Sequence, residues 1–385
     1  MKALIALVAV FGLALAVAGG GGAANEHASA AAVCPAPAIG AAHCHALVAT
    51  DGVGNPLASS APTGLSPATI KSVYSFSTDP AAGTGKTIAI VDAYDDPSAE
   101  SDLGVFSGTY GLPACTTANG CFRKVNQAGG TSYPRKDAGW ALEISLDVQW
   151  AHAIAPGAKI LLVEATTNSF ANLLAAEDYA KANANYVSNS WGGSEFSGES
   201  AYDSHFATGS GNVGFFVSSG DSGTPAEYPS ASPNVISVGG TTLHFDSSGN
   251  FSSETGWSGS GGGCSVYETA NSAQSGFGEY GQVNCGGKRA TPDVSLDADP
   301  ASGVSVYDSV RYQGQSGWFT VGGTSASSPM WAARSADSSA AVVNAAYVYG
   351  SNITYRDITS GSNGATPLVG YDLVTGRGSW INATP

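Results

Sequence analysis

The sequence predicts an α/β fold built on a mainly parallel sheet that is covered by helices on both faces. Short, uniformly apolar segments, such as residues 159–163, are typical of buried strands. These segments alternate along the chain with longer segments of helical character. Apolar strands that alternate with helices form parallel sheets shielded from water on both sides. Functional residues of such sheets collect at the carboxyl ends of the strands.

The elements follow one another from residue 66 onward. Ser66 before Pro67 is a favourable helix start, because the hydroxyl can cap the helix and proline suits its first position. A strand-like segment at 318–321 leads into two glycines and an Ala-rich segment. The other predicted strands lie at 87–91, 159–163, 186–190, 213–218 and 235–238, and the predicted helices at 99–110, 139–155 and 171–184.

The composition excludes some classes of function. Among 385 residues there are 15 Lys and Arg against 30 Asp and Glu, which gives a net charge of −15. So few basic residues leave no patch that could neutralise a nucleic-acid backbone, and nucleic acid is not an expected partner. The hydrophobic share of 43% excludes a disordered acidic tail.

The N-terminal region predicts export. Residues 1–18 combine Lys2 with an apolar run that ends in small residues, the pattern of a secretory signal peptide. Residues 19–65 are rich in Ala, Gly, Ser and Pro, and we expect a short leader or linker outside the packed domain, which then spans 66–385. We therefore expect a secreted, extracellular monomer with no membrane association after signal removal.

The six cysteines fall into local pairs. An even number in an exported chain predicts disulfides, and local pairing is the simplest connectivity. The competing interpretation is a zinc site at Cys44, which has His43 and His45 on either side. The local pairs are Cys34 with Cys44, Cys115 with Cys121, and Cys264 with Cys285.

The strongest chemical motif is Gly-Gly-Thr-Ser at 322–325. It places Ser325 at a helix N-terminus, where free N–H groups and the helix dipole favour developing negative charge. A helix cap formed by Thr324 or Ser325 is the structural alternative. The pattern Gly-Thr-Ser-x-x-x-Pro also occurs around the nucleophile of subtilisins, but none of the six histidines lies in a His-Gly-Thr-His segment. Ser-His-Asp catalysis is therefore not expected, and another base is needed.

Two carboxylates on the predicted helix 139–155 are candidates for that base. Glu143 and Asp147 lie four residues apart and share one helical face. Their apolar neighbours predict burial, and burial with like charge raises carboxyl pKa values, so that the pair can share one proton. One group can then act as the base for Ser325 while the other orients it. The alternative is a pair of carboxylates that face solvent.

Asp221 is the third candidate, in Ser-Gly-Asp-Ser-Gly at 219–223 after a predicted strand. An aspartic acid can stabilise an oxyanion only when it is protonated, because a carboxylate has no hydrogen to donate. Such a group would work at low pH and fail at neutral pH. The alternative is that Asp221 forms a turn between glycines.

Taken in order, Glu-x-x-x-Asp, Ser-Gly-Asp and Gly-Thr-Ser-Ala-Ser resemble the sedolisin family of serine-carboxyl peptidases, and the likeness runs from about residue 66 to the C-terminus. The resemblance implies a subtilisin-like three-layer fold. It implies Ser325 as nucleophile, with Glu143 as general base and acid. It further implies Asp147 as the partner of Glu143, Asp221 as a protonated oxyanion donor, and Asp92 as a buried carboxylate that supports Asp147.

The resemblance also implies two binding sites. An extended polypeptide substrate would pair with the strand at Ser190-Trp191-Gly192, although Trp191 could equally be a core residue. A Ca²⁺ ion, which prefers oxygen ligands, would lie near the C-terminus, where two turn-forming aspartates are the alternative. The implied calcium ligands are Asp357, Ile358, Leu368, Gly370 and Asp372.

The sequence thus predicts a secreted, acid-active serine-carboxyl endopeptidase that hydrolyses peptide bonds through an acyl-enzyme. One rival is an inactive relative that binds peptides. A glycosidase that uses Glu143 and Asp147 is disfavoured, because groups one helical turn apart would not flank a sugar ring. An aspartic protease is disfavoured because no Asp-Thr-Gly or Asp-Ser-Gly pair recurs. The family usually has a large folded prodomain, for which 19–65 is too short, and the run 334–339 is expected to interrupt the helix after Ser325.

Overall fold

The computed structural model describes residues 29–38, 40–210, 212–338, 342–350 and 353–381. The predicted signal peptide, 1–18, and the beginning of the predicted leader lie outside the described residues. Within the described ranges, no helix combines the length and the apolar character that crossing a bilayer requires.

The strands and helices of the described chain are as follows. The strands are β1 (Ser29–Ala32), β2 (His43–Cys44), β3 (Leu47–Thr50), β4 (Ala58–Ser59), β5 (Thr87–Ala93), β6 (Phe122–Asn126), β7 (Lys159–Ala165), β8 (Tyr186–Asn189), β9 (Trp191–Ser194), β10 (Gly214–Ser218), β11 (Glu227–Tyr228), β12 (Ile236–Phe245), β13 (Phe251–Gly256), β14 (Gly263–Thr269), β15 (Lys288–Thr291), β16 (Val294–Asp297), β17 (Val304–Tyr312), β18 (Gln315–Gly322), β19 (Tyr355–Arg356) and β20 (Ser379–Trp380). The α-helices are α1 (Pro67–Tyr74), α2 (Ala99–Tyr110), α3 (Ala138–Ile154), α4 (Phe170–Asn183), α5 (Ser272–Ser275), α6 (Thr324–Ala336) and α7 (Ala345–Tyr349), with 3-10 helices at Glu199–Phe206, Gly278–Val283 and Pro300–Ser302.

The central sheet has eight strands in the order β13-β12-β10-β8-β5-β7-β6, with β16 paired to β12. All of its strand pairs are parallel except β12 with β13. The predicted α/β class with a mainly parallel sheet is confirmed. Strand β6 was not predicted, because Arg123 and Lys124 interrupt its apolar character at the edge of the sheet.

Helices α3 and α6 pack against each other and against this sheet, whereas α4 packs on β5 and β7. Helix α1 begins as predicted, since the Ser66 hydroxyl accepts the N–H of Thr69. The predicted interruption after Ser325 is wrong, because α6 continues through Arg334 to Ala336. Arg334 is buried with its guanidinium carbon 4.2 Å from the ring centre of Trp380, a stacking contact that lets a charged side chain stay in the helix.

Residues 29–38 and 40–65 differ from the prediction, since they are part of the packed domain and not a leader outside it. Strand β1 pairs with β3, and both β3 and β4 pair with β18, which forms a hairpin with β17. Ala42, Cys44, Ala46 and Val48 are buried. The small side chains that suggested a linker allow this segment to lie close against the rest of the chain.

The predicted local disulfide pairing is confirmed. Because the sulfur of Cys44 is bonded to Cys34, it is not available to a metal ion, and the zinc interpretation at Cys44 is wrong. The disulfides join Cys34 to Cys44, Cys115 to Cys121, and Cys264 to Cys285.

Candidate active site

Ser325 lies in the first turn of α6, after the glycines that end β18. The side chain is buried, and its hydroxyl oxygen is 3.4 Å from the carbonyl oxygen of Ser190. The neighbouring Gly323 has a φ of +95°, and a Cβ there would collide with the carbonyl oxygen of His45. Glycine therefore lets another chain segment approach the N-terminus of α6 closely.

A cluster of three buried carboxyl groups begins beside Ser325 with Glu143 and continues to Asp147, which is also on α3, and to Asp92 on β5. None of their oxygens has a well-formed hydrogen bond within the described residues. Burial raises the pKa of Glu143 well above its usual value, and the charges of Asp147 and Asp92 raise it further. The nearby Ser325 hydroxyl acts in the opposite direction.

The other two carboxyl groups extend this cluster away from Ser325. Burial raises the pKa of Asp147 well above its usual range, and the Ser190 hydroxyl opposes that shift. Burial also raises the pKa of Asp92, and the charges of Asp147 and then Glu164 add to it. The structure thus brings Ser325, Glu143, Asp147 and Asp92 together, and it buries more acidic groups than can all be ionised at once.

Asp221 lies on the loop after β10, against the beginning of α6. Its Oδ1 accepts the N–H of Thr324 at 2.7 Å and the hydroxyl of Thr324 at 2.9 Å. Its Oδ2 is buried and has no partner within the described residues. Burial raises the pKa of Asp221 to about 7, although the charge of His45 and the bonds from Thr324 lower it. Asp221 is therefore protonated in acid.

The strand predicted to receive the substrate already has a partner from this chain. Strand β2 runs antiparallel to β9, with His43 opposite Gly192 and Cys44 opposite Trp191. The side chain of Trp191 is in the core, where its Nε1 donates to the carbonyl of Val91 at 2.9 Å. Trp191 is therefore a core residue, as the alternative interpretation holds, while the backbone of β9 is paired with β2.

His45 follows β2 and lies directly beside Ser325. Its N–H donates to the carbonyl of Ser190 at 3.1 Å, and its own carbonyl accepts the N–H of Ser325 at 3.3 Å. The nitrogens of its buried ring are hydrogen-bonded to other residues: Nδ1 is 2.7 Å from the hydroxyl of Ser218 and Nε2 is 3.1 Å from a carboxylate oxygen of Glu227. His45 is thus not placed as a base for Ser325.

The charges around the ring of His45 favour its protonated form. Burial lowers the pKa of His45, but the hydrogen bond and charge of Glu227, with the charge of Asp221, raise it by more, so that its net shift is upward. The pKa of Glu227 is lowered by its hydrogen bond to His45 despite burial. Both shifts favour an imidazolium–carboxylate pair.

Sequence reasoning missed His45, Ser218 and Glu227 as site residues. His45 lies in the part of the chain predicted as a leader, and it is separated along the chain from Ser218 by 173 residues and from Glu227 by 182. One signal was available: Cys44 lies directly before His45, and its predicted disulfide shows that this part of the leader is held in a fixed shape.

The residues of the predicted calcium site lie around one loop near the C-terminus. Both carboxylate oxygens of the exposed Asp357 are 3.1 Å from the N–H of Gly370. The buried Asp372 accepts the N–H groups of Val374 at 2.8 Å and Leu368 at 3.1 Å. The two carboxylates therefore flank residues 368–370, and every group proposed to bind the ion there is an oxygen, which suits calcium.

Another set of side chains has donor atoms close enough to hold a metal ion. The potential ligand atoms of His43, His45 and Glu227 lie within 4.8 Å of one another. Both ring nitrogens of His45, however, already have protein partners.

The chain resembles known proteins both in sequence and in structure. A sequence profile of the subtilase family matches residues 135–363. The chain is 35% identical over 205 residues to sedolisin from Pseudomonas sp. (strain 101), which is 43% of this chain and 33% of that protein. It is 31% identical over 304 residues to kumamolisin from Bacillus sp. (strain MN-32), which is 71% of this chain and 52% of that protein. The chain thus spans a third to about half of the length of these curated relatives.

A solved structure extends the likeness to the whole fold. Pseudomonas sedolisin, described as a serine-carboxyl proteinase complexed with two molecules of pseudo-iodotyrostatin, superposes with a TM-score of 0.68 at 30% identity. The match covers 84% of this chain and 97% of that one. Fold and site together define the subtilisin-like class of serine peptidases, which confirms the predicted fold. Within that class, this chain belongs to the sedolisin family.

Proposed function

We propose that this chain is a serine-carboxyl endopeptidase that is active in acid. The observation that supports this most directly is the position of Ser325 at a helix N-terminus beside the buried carboxyl group of Glu143. A nucleophile needs a base within reach and a site that stabilises negative charge, and this position supplies both. The description of the structural relative as a serine-carboxyl proteinase agrees with it.

In the proposed reaction Glu143 takes the proton of the Ser325 hydroxyl as that oxygen attacks the peptide carbonyl carbon. Glu143 then gives the proton to the leaving amine, and an acyl-enzyme remains. Glu143 next activates a water molecule, which releases the acyl group from Ser325. Asp147 and Asp92 position Glu143. Burial raises the pKa values of all three groups, and in the proposed ground state the single negative charge of the cluster lies on Glu143, while Asp147 and Asp92 hold protons.

Asp221 and the N–H of Ser325 would stabilise the oxyanion. A protonated Asp221 can donate a hydrogen bond from Oδ2, the oxygen that has no partner within the described residues. An ionised Asp221 would instead repel the oxyanion. Because the pKa of Asp221 is about 7, this donor is present in acid and is lost as the pH rises through neutrality.

Extended polypeptides are the proposed substrates. The backbone of Ser190 and of β9 already pairs with an extended segment, namely residues 43–45 of the chain itself. Pairing through the backbone tolerates many side chains, as an endopeptidase needs. We also propose that the protein is secreted as a monomer, with its disulfides formed in an oxidising compartment.

Calcium is the proposed cofactor, held by Asp357 and Asp372 together with carbonyl oxygens of Ile358, Leu368 and Gly370. When bound, the ion would neutralise the two carboxylates and fix the C-terminal loop. A chelator is expected to lower the melting temperature of the protein, and an Asp372→Asn variant is expected to respond less. An unchanged melting temperature with chelator would exclude this site.

The proposal is tested with a denatured protein as substrate at about pH 4 and pH 7. The full chain should cleave it at pH 4, and the Ser325→Ala and Glu143→Gln variants should each lose at least about 100-fold of that activity. The matched control is Glu177→Gln, because Glu177 is also a buried carboxyl whose pKa burial raises, to about 8, but it lies on α4. Equal cleavage by Ser325→Ala would overturn the proposal, and so would an inactive full chain, which would favour an inactive peptide-binding relative.

A further inference from the structure

The segment from His43 to Val48 lies across the site in the manner of a bound peptide. On one side of His45, β2 pairs with β9. On the other side, β3 pairs antiparallel with β18, with Leu47 opposite Gly322 and Val48 opposite Val321. The backbone is therefore held on both sides of one peptide group, the one that joins His45 to Ala46.

That peptide group is the one presented to Ser325. The carbonyl oxygen of His45 accepts the N–H of Ser325, which is one of the two proposed oxyanion donors. A Cβ built on Gly323 would lie 2.7 Å from Asp221 Oδ2, the other proposed donor, and would also collide with the His45 carbonyl oxygen. Both donors thus border the place that this carbonyl occupies.

The ring of His45 fills an enclosed pocket whose polar groups match an imidazolium. The Ser218 hydroxyl donates to the carbonyl of Asn189 at 3.3 Å, which leaves its oxygen to accept a hydrogen from Nδ1 at 2.7 Å. The Glu227 carboxylate accepts from Nε2 at 3.1 Å. A ring that donates from both nitrogens carries a positive charge, which the Glu227 carboxylate neutralises.

Two glycines give this pocket its shape. A Cβ on Gly192 would lie 2.7 Å from Cε1 of the His45 ring, so the flat ring rests directly on that backbone. A Cβ on Gly220 would lie 2.8 Å from the carboxyl carbon of Glu227, so that glycine lets the carboxylate reach the ring. An aliphatic side chain in the same place would leave the largely buried Glu227 without its partner.

We propose that Ser218 and Glu227 are specificity-determining residues that select a histidine directly before the cleaved bond, and that the His45–Ala46 bond of this chain is such a substrate. This inference rests on the proposed peptidase function. Ser218 is not a second nucleophile, since its hydroxyl is used by Asn189 and His45. A metal at His43, His45 and Glu227 would have to displace hydrogen bonds that the peptide interpretation already explains.

The chemical step on this bond follows the proposed reaction. The Ser325 oxygen forms a bond to the carbonyl carbon of His45, and its proton passes through Glu143 to the nitrogen of Ala46 as the peptide bond breaks. Water then releases the carboxyl group of His45 from Ser325. Both cysteines of the Cys34–Cys44 disulfide lie before the cut, so the two products share no covalent link through it.

The first experiment incubates the full chain at pH 4 and identifies the new N-terminus by mass spectrometry. A product that begins at Ala46, absent from the Ser325→Ala variant, is the expected result. Cleavage only at other bonds, with activity on denatured protein intact, would overturn the inference and leave the proposed function standing. Loss of all Ser325-dependent cleavage would overturn both.

The second experiment measures kcat/KM at pH 4 on peptides that differ only in the residue before the cleaved bond. We expect histidine to exceed leucine by about 100-fold, because a pocket built for hydrogen bonds rejects a side chain that lacks them. Glu227→Gln should lower kcat/KM for the histidine peptide by at least about 10-fold and reduce the ratio of the histidine rate to the leucine rate by a similar factor.

The matched control for that variant is Asp178→Asn. Asp178 also contacts a histidine, with Oδ2 at 3.0 Å from Nδ1 of His205, but this pair lies on the surface at α4. Asp178→Asn should keep the preference for histidine. Equal rates for histidine and leucine in the unaltered chain would overturn the pocket assignment even if proteolysis is efficient.

Discussion

The two carboxyl oxygens of Asp221 lie in different environments. Oδ1 is held by the backbone and hydroxyl of Thr324, whereas Oδ2 is buried without a partner within the described residues. The fixed oxygen orients the group, and in the proposed reaction the proton on the other oxygen would determine whether the group attracts or repels an oxyanion. Replacing that proton with a permanent donor is therefore a direct test of its role.

In an Asp221→Asn variant the amide can donate at any pH. The proposed loss of activity as the pH rises through about 7, the pKa of Asp221, should then move at least one pH unit higher. The measurement is a profile of kcat/KM against pH. Asp308→Asn is the control, because burial also raises the pKa of Asp308, to about 8, and it lies on β17; its profile should match that of the unaltered chain. If the fall in kcat/KM near pH 7 did not move in Asp221→Asn, the result would contradict the assignment of Asp221 as the oxyanion donor.

Gly323 permits a second test at the same scale. Gly323→Ala should reduce kcat/KM at least about 100-fold, because the added methyl would occupy the space of the substrate carbonyl oxygen. Gly249→Ala separates this collision from backbone strain: its φ is also positive, at +79°, but no atom of the described part of the chain lies within 4 Å of an added Cβ. That control should lose about 1–2 kcal/mol of unfolding free energy and no activity. If both variants lost activity to the same extent, backbone strain and not the collision would explain the loss.

At the scale of elements, β2 depends on the disulfide that precedes His45. The Cys34–Cys44 bond closes a short loop, and the N–H of Val33 donates to the carbonyl of Ala46 at 2.9 Å. The loop therefore braces the segment on both sides of the His45–Ala46 bond. A peptide held in this way resists leaving the groove, so it should compete with other substrates.

Removing that brace should weaken the competition. In a Cys34→Ala, Cys44→Ala double variant the segment has more conformational entropy when it is outside the groove. The loss of loop closure contributes about 2–4 kcal/mol to the free energy of this unbound state. In the unaltered chain we expect a lag before an added peptide is hydrolysed at pH 4, because the segment must first leave the groove. In the double variant this lag should be several-fold shorter. The paired control removes Cys115 and Cys121, whose disulfide lies next to β6. An equal lag in both double variants would mean that the first disulfide does not brace the segment.

At the scale of the whole molecule, buried acid groups should make stability depend on pH. The pKa of Glu177 is raised to about 8 and that of Glu164 to about 9, in both cases chiefly by burial. Below about pH 4 both states of the chain hold these protons. As the pH rises toward the folded pKa, the unfolded chain releases them first, so the free energy of unfolding falls.

Urea unfolding of the Ser325→Ala chain with intact disulfides measures this dependence. The unfolding free energy should be higher at pH 4.5 than at pH 8, by at most about 1.4 kcal/mol per pH unit for each such group. Glu177→Gln removes one titrating group and should flatten the dependence, whereas Asp79→Asn, at an exposed loop position, should not. A stability that rises toward pH 8 would contradict the assignment of these buried groups as protonated.

Sequence patterns predicted most of the parallel strands and the shared helical face of Glu143 and Asp147, whereas Asp92 was implied only by the family resemblance. Glu143 and Asp147 could be predicted because helical spacing relates them locally. The His45 pocket could not, because its parts come from segments that are distant along the chain and meet only when β2 pairs with β9. The composition was also a poor guide: the alanine-rich run before residue 66 resembles a linker, yet its described part pairs with β9 and β18 and is partly buried.

The position of the disulfide on one side of the His45–Ala46 bond also affects how the cut would act over time. Before the cut, the segment meets the groove at a fixed intramolecular concentration, which is independent of how dilute the protein is. After it, the released piece is a closed-loop peptide that remains only through noncovalent contacts such as the pairing of β1 with β3. Its occupancy then follows mass action. Activity would therefore depend on protein concentration. In a concentrated solution the released peptide would still occupy the groove and inhibit the protein, and on dilution it would dissociate and the protein would become active.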